Sequence, residues 1–416
     1  MTRSARRQYG EGNVSGYPTK KGVRYRCQWY ERDPSTGKNH RQQKAGFATK
    51  RDAARFLRER SVDAQRGSAP ALHSPTVEVY LDDWLSRHRA APSTLAGYRR
   101  LSRLHVVPHL GTVPIGDLTP GHLARLYRTL ENKPLGTPGR QDRTLGPSTI
   151  RKVHQLLSVV LSAAVEDGYI PANPARMKTA QPPTTREVQN RKPRITVWEP
   201  STLLSFYEWA KTHDPELWLT WRTIGDTGMR RGEALALTWQ DVDLERQTVT
   251  VRRALVTVKN HGEQARHIMQ LPKNSQPRTI AISRELTAAL AAEHERQTSR
   301  GLAAPTSPVL VQESGRQLLP ESLSRRWRQA VLRFTSDYPD APAIALHGLR
   351  HTHATHLLAA GVGPKIVQVR LGHETFKLTM DTYSHLLEDS QQQAVSLLQD
   401  FQQATGGEGA ESRYKP

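Results

Sequence analysis

A single cysteine, Cys27, stands in 416 residues. One thiol cannot close an intramolecular disulfide and cannot build a cysteine-based zinc site, and it fits a reducing compartment. Long apolar runs are missing as well. No stretch approaches the roughly 20 consecutive apolar residues of a membrane helix. The first ten residues, MTRSARRQYG, are basic, but no apolar segment follows them as it does in a secretory leader. Negative charge is the third shortage: 39 Asp and Glu face 60 Lys and Arg, a net charge of +21. A chain this basic reads most simply as a polyanion binder, and nucleic acid is the commonest polyanion. Basicity kept for solubility alone is the plainer alternative. The expected place is the cytoplasm, associated with the nucleoid. At this length two to three domains are expected, each with its own core.

Half of the charge sits in the first sixth of the chain, where 17 Lys and Arg face 6 Asp and Glu through Pro70. Here Val23, Tyr25, Cys27 and Trp29 alternate with Arg24, Arg26, Gln28 and Tyr30, the period of a half-buried strand. A turn at Asp33–Lys38 leads to a second strand through Arg41 and Phe47. Thr49 is the expected cap of a helix carrying Ala53, Phe56 and Leu57. A β-ribbon can enter the major groove, so Arg24, Arg26, Gln28 and Arg41 are candidate DNA contacts; a merely solvated strand face is the alternative. Residues 1–66 form this unit and 67–75 a linker.

Residues 76–177 read as helical. Apolar Val77, Val79, Leu81, Trp84 and Leu85 mark a first helix, and Ser93 is the expected cap of the next. Thr119 caps a helix with Pro120 at its first position, where the missing N–H costs nothing. Ile150, Val153, Leu157, Val160, Leu161 and Ala164 share one face of a long helix. ENKPLGTPGRQDRTLGP, from Glu131, is an exposed loop. Residues 178–194, polar and proline-rich, read as a second linker. Beyond it, 195–404 form a larger domain with helices at Pro200–Thr212 and through Leu217–Gly228, strands within 247–283, then helices; 405–416 are a disordered tail. The fold class is multidomain, mainly α with small β elements.

The chemistry gathers between Ala345 and His385. His347-x-x-Arg350, Leu371-Gly372-His373 and Tyr383 put an arginine, two histidines and a phenol in one stretch. Such a set can grip a phosphodiester, neutralise its oxygens and present a tyrosine as nucleophile. A metal site is the competing idea, because His347, His351, His353 and His356 include pairs four apart on a helix. Against it, no H-E-x-x-H is present and no acidic residue lies between Leu346 and Gly372.

The order Arg230 (in TGMRRGE), Lys273, His347-x-x-Arg350, His373, Tyr383 resembles the tyrosine recombinases, the phage-type integrases, from about Thr76 to Leu398. The resemblance implies an arm-type DNA-binding domain in front, a helical core-binding (SAM-like) domain, and an α+β catalytic domain. It implies that Arg230 and Arg350 clamp the scissile phosphate, Glu233 orients the site, and Lys273 protonates the leaving 5′-oxygen, with Lys259 its competitor. His347 would handle a proton, His373 would donate to the phosphate, and Tyr383 would form a 3′-phosphotyrosyl link. His351, His353 and His356 would be packing or DNA-backbone residues, and Arg231 is left unassigned. No metal and no cofactor is implied, since the covalent link keeps the bond energy. The implied partners are double-stranded attachment-site DNA, three further copies of the chain on synapsed DNA, an excisionase and a DNA-bending host factor. The helix after Tyr383, with Leu386, Leu387, Val395, Leu398 and Phe401, would pack on its own domain or on a neighbouring subunit. The rivals are a chromosome-dimer resolvase, a non-catalytic DNA-binding regulator and a type IB topoisomerase.

Overall fold

The computed structural model describes residues 12–19, 22–32, 39–65, 74–132, 144–191, 195–272 and 276–372, with 395–396, 399–400 and 402. They fall into two compact units, Met1–Lys192 and Pro193–Pro416. Both are built of helices with small antiparallel sheets.

The first unit starts with a sheet of β1 (Asn13–Thr19), β2 (Gly22–Arg32) and β3 (Asn39–Phe47) in that order, followed by α1 (Lys50–Gln65). The expected alternation along β2 holds around Tyr25, Arg26 and Cys27. Cys27 is fully buried, and Trp29 and Phe47 pack on Phe56 of α1 at centroid distances of 5.9 and 5.5 Å. Val23, at the start of β2, is 60% exposed. Thr49 caps α1, its hydroxyl accepting the Asp52 N–H at 3.1 Å. β1 is an element that the sequence pattern did not announce. Gly16 and Pro18 are poor strand formers, and an edge strand needs only one partner to form.

Helices α2 (Val77–Arg87), α3 (Pro92–Leu101), α4 (Val107–Leu110), α5 (Pro120–Asn132) and α6 (Pro147–Glu166) share one core. α3 runs into α4 through a π-turn at Ser102–Val106. All six apolar positions expected on α6 are buried, and the Ile, Val and Leu among them each contribute about 1.5–3 kcal/mol by leaving water. Thr119 accepts the His122 N–H at 3.3 Å, as a cap should. Two details differ from expectation. Val79 is 59% exposed and Tyr80 takes the inward place. Ser93 does not cap α3, which begins one residue earlier at Pro92. Within the polar stretch 178–194, α7 (Thr185–Asn190) is closed by a reciprocal Thr184–Glu187 capping box.

The second unit holds α8 (Pro200–His213), α9 (Pro215–Thr227), the one-turn α10 (Arg231–Ala234), β4 (Val242–Asp243), β5 (Thr248–Val251), β6 (Ala254–Val258), β7 (Arg266–Gln270) and β8 (Arg278–Ala281). α11 (Arg284–Thr298), α12 (Pro320–Asp337), α13 (Leu346–Ala359) and α14 (Pro364–Leu371) follow. β4, β5 and β8 form one antiparallel sheet, and β6 and β7 a separate hairpin. An aromatic cluster sets the core: Trp198 meets Phe206 at 5.0 Å and Trp327 at 5.6 Å, and Trp327 meets Trp221 at 5.1 Å. The indole N–H groups of this cluster find acceptors, Trp327 donating to Ile344 O at 2.8 Å, Trp198 to Pro342 O at 2.7 Å and Trp221 to Asp214 Oδ2 at 2.9 Å.

Two glycines place the site. Gly228 ends α9 with φ +64°, and a Cβ there would lie 2.7 Å from both the His353 ring and Leu371. Gly372 ends α14 with φ +66°, where a Cβ would lie 2.8 Å from Arg278 Nη1. Only glycine takes the left-handed turn and the close approach together.

Candidate active site

The last carbonyls of a helix have no partner inside it, and they carry the negative end of its dipole. At the end of α14 three arginines from three different elements take them in turn. Arg278 Nε, at the start of β8, donates to Arg370 O at 2.9 Å. Arg350 Nη2, on α13, donates to Leu371 O at 2.7 Å. Arg230 Nη2, capping α10, donates to Gly372 O at 3.0 Å. His373 is the next residue in sequence.

Glu233 is the counter-charge. It stands at the third position of α10, so its carboxylate reaches back to the Arg230 N–H at 3.0 Å, while Oε1 accepts Arg230 Nη1 at 2.8 Å. Arg278 grips the same carboxylate with Nη2 to Oε2 at 2.5 Å and Nη1 to Oε1 at 3.2 Å. Burial by itself would push the Glu233 carboxyl up. Arg278 and then Arg230 outweigh it and hold the group below the usual carboxylate range. Three guanidiniums against one carboxylate leave two positive charges, enough to face a phosphodiester whose charge grows as it is attacked.

α13 supplies the rest. His347 and Arg350 lie three apart and therefore on one flank of the helix. Arg350 is buried, with Nη1 donating to Gly228 O at 2.7 Å, so the ends of α9 and α14 are tied by one side chain. His347 is exposed at the surface, its ring edge-on to His351 at 4.8 Å. Its dense surroundings, then His351 and the two arginines Arg350 and Arg230, push its imidazole down to about 4, so it is neutral near pH 7. His353 accepts Arg370 Nε–H at 2.9 Å, and His356 Nε2 lies 2.9 Å from Trp198 O. Those two histidines are packing residues. Among the described residues no three His, Cys, Asp or Glu gather to hold a metal ion.

The structure thus brings Arg230, Glu233 and Arg350 together, with His347 beside them. Lys273, His373 and Tyr383 lie outside the described residues, as do residues 133–143 of the expected loop, the tail and most of the helix expected after Tyr383. Of that helix Val395 is described, and it is exposed. Lys259 is exposed just beyond β6. Arg231 turns to α12, where Nη1 bonds Ser324 Oγ. In the first unit, Arg26 Nε reaches Ser15 Oγ at 3.2 Å, Arg41 Nη2 reaches Gln28 Oε1 at 2.7 Å, and Gln28 Nε2 reaches Gln43 Oε1 at 3.1 Å. Arg24, Arg26 and Gln28 alternate with the residues that face α1, so the four expected contacts share the sheet's open face. Arg278 is the participant that sequence reasoning passed over. Its partner Glu233 lies 45 residues away, and no local period records such a pairing.

Three family models match this chain: the phage integrase family over residues 200–389, an arm DNA-binding domain over 15–64, and the phage integrase N-terminal SAM-like domain over 76–130. The chain belongs to the phage integrase family, the tyrosine-type site-specific recombinases. It is 28% identical over 266 residues to a tyrosine recombinase XerC-like protein of Caldanaerobacter subterraneus subsp. tengcongensis, a match spanning 61% of this chain and 66% of that protein. Among solved structures, it is similar to the Tn1549 transposon integrase in complex with transposon right end DNA, with 21% identity, TM-score 0.63, and 78% of this chain and 99% of that one covered. A lambda integrase tetramer bound to a Holliday junction gives 18% identity and TM-score 0.51, covering 91% of this chain and 96% of that one. At these identities the structural likeness is one of fold.

Proposed function

We propose that this recombinase is the integrase of a mobile element. Arg230 and Arg350 hold the scissile phosphate of attachment-site DNA, and the Tyr383 oxygen attacks phosphorus. A 3′-phosphotyrosyl bond forms as the 5′-oxygen leaves, protonated by Lys273, while His373 donates to a non-bridging oxygen. His347, neutral near pH 7, takes the phenol proton. The 5′-hydroxyl of a partner strand then reverses the attack, releasing Tyr383 and joining the strands. Because the tyrosyl ester keeps the bond energy, rejoining requires no ATP. The same chemistry run on joined ends excises the element.

The observation that supports this reading best is the convergence of three arginines on the three carbonyls before His373, two of them also bound to Glu233. A cationic pocket there is what a phenol of ordinary pKa near 10 needs to act as a nucleophile. The rest of the reading follows the family. Residues 1–66 bind arm-type DNA through Arg24, Arg26, Gln28 and Arg41. Residues 76–177 bind the core site, 195–404 catalyse, and 67–75 and 178–194 link them. Four copies synapse two duplexes in the cytoplasm, on the nucleoid, and an excisionase and a DNA-bending host factor set the direction.

Tyr383→Phe tests the assignment. The ring remains and only the nucleophilic oxygen is lost, so the variant should still bind core-site DNA yet form no covalent adduct on a nicked suicide substrate run on a denaturing gel. A stable adduct from the Phe protein would move the nucleophile elsewhere.

A further inference from the structure

Arg278 begins β8 and is buried with Glu233, and in that setting water screens their charges little. It spans both Glu233 oxygens and also holds Arg370 O. Arg230 shares only Oε1 through its side chain, and that side chain is 27% exposed against 1% for Glu233. One carboxylate therefore meets two guanidiniums of unequal burial. The buried one, bound to both oxygens, takes up the negative charge, and the surplus positive charge falls on the one that faces solvent. Without Arg278, Glu233 would have Arg230 as its sole guanidinium, and that pair would be neutral.

We infer that Arg278 is a positioning residue that neutralises Glu233, so that Arg230 keeps its charge for the incoming phosphodiester. The inference rests on the phosphate-clamping role proposed for Arg230. Arg278 also packs against Gly372, the residue before His373, so its loss would loosen the same clamp from the backbone side.

The test compares single-turnover cleavage by the full chain on two suicide substrates. One carries the ordinary scissile phosphate. In the other a methylphosphonate replaces it, so a methyl stands for a non-bridging oxygen and the negative charge is gone. A protein short of clamp charge is hindered less on the neutral substrate. Arg278→Ala should lower the phosphate-to-methylphosphonate rate ratio by at least about tenfold, in the direction of Arg230→Ala and within the about 10²–10³-fold that a lost oxyanion donor costs. Val249→Ala, a cavity in the buried face of β5, should slow both substrates and keep the wild-type ratio. Arg278→Ala combined with Glu233→Gln removes the carboxylate that would otherwise neutralise Arg230, so it should fold and return most of the ratio. An Arg278→Ala ratio equal to wild type, or no recovery in the double variant, would overturn the inference while leaving the clamp. If Arg230→Ala itself kept the wild-type ratio, the clamp assignment would fail and this inference with it.

Discussion

His353 shows how far one side chain's setting can move its chemistry. It is buried on α13 and accepts Arg370 Nε–H at 2.9 Å, which only a neutral ring can do. Burial first, then Arg370, His356 and Arg350, push its imidazole down to about 3, while the Gly225 backbone acts the other way. An unfolded histidine titrates near 6.5. Between those values the unfolded chain binds a proton that the folded chain refuses. The stabilisation is therefore full above about pH 6.5 and is lost as pH falls, by at most about 1.4 kcal/mol per pH unit. His353→Gln removes the titration and leaves an oxygen that Arg370 can reach. In urea melts the variant should lose less stability than wild type between about pH 7 and about pH 5. His347 and His351, whose imidazoles are also held low, are common to both proteins and cancel in that comparison. Equal losses would mean that His353 does not carry the acid sensitivity.

At the scale of elements, what the sequence announced and what it hid separate along physical lines. α6 was legible because its core face repeats at helical spacing, and all six named positions are buried. Thr49 and Thr119 were legible because capping is decided within three residues. Val79 misled because successive residues turn by about 100° in a helix. Val77 and Leu81 share a face with Tyr80, and Val79 points away from it. The order of Arg230, His347 and Arg350 was readable as a motif. The way the clamp is built was not, since α10, β8, α13 and α14 meet only in the folded unit. The connection between β7 and β8 carries Lys273, and its proposed role is testable by leaving-group chemistry. An alkoxide leaves badly because its conjugate acid resembles water, with pKa about 16. Sulfur in place of the bridging 5′-oxygen leaves as a thiolate of pKa about 8.5 and needs little protonation. Lys273→Ala should be slowed by about 10²–10⁴-fold on ordinary DNA and be close to wild type on the sulfur substrate. Arg350→Ala should stay slow on both, because charge stabilisation is still missing. Equal defects for Lys273→Ala on the two substrates would pass the acid role to Lys259 or His347.

For the whole molecule the deciding quantity is where the charge lies. Through Pro70 the chain carries 17 Lys and Arg against 6 Asp and Glu, so +11 of the total +21 precedes α2. Affinity for DNA falls with salt by a slope of about 0.9 for each phosphate neutralised. A protein that binds through separate arm and core surfaces should therefore lose both affinity and part of that slope when the arm is removed. Deleting residues 1–66 takes away β1, β2, β3 and α1 with their open face of Arg24, Arg26, Gln28 and Arg41. It leaves the core shared by α2 to α6 and the arginine clamp intact. Binding to long attachment-site DNA should weaken and become less salt-dependent. Binding to an isolated core site, and Tyr383 adduct formation on it, should remain. The measurement is a salt titration of affinity for both DNAs with both proteins. If the truncated chain bound the long DNA as tightly as the full chain at every salt, and with the same slope, the first 66 residues would not be an arm-binding unit. Their charge would then serve solubility, the alternative that composition alone left open.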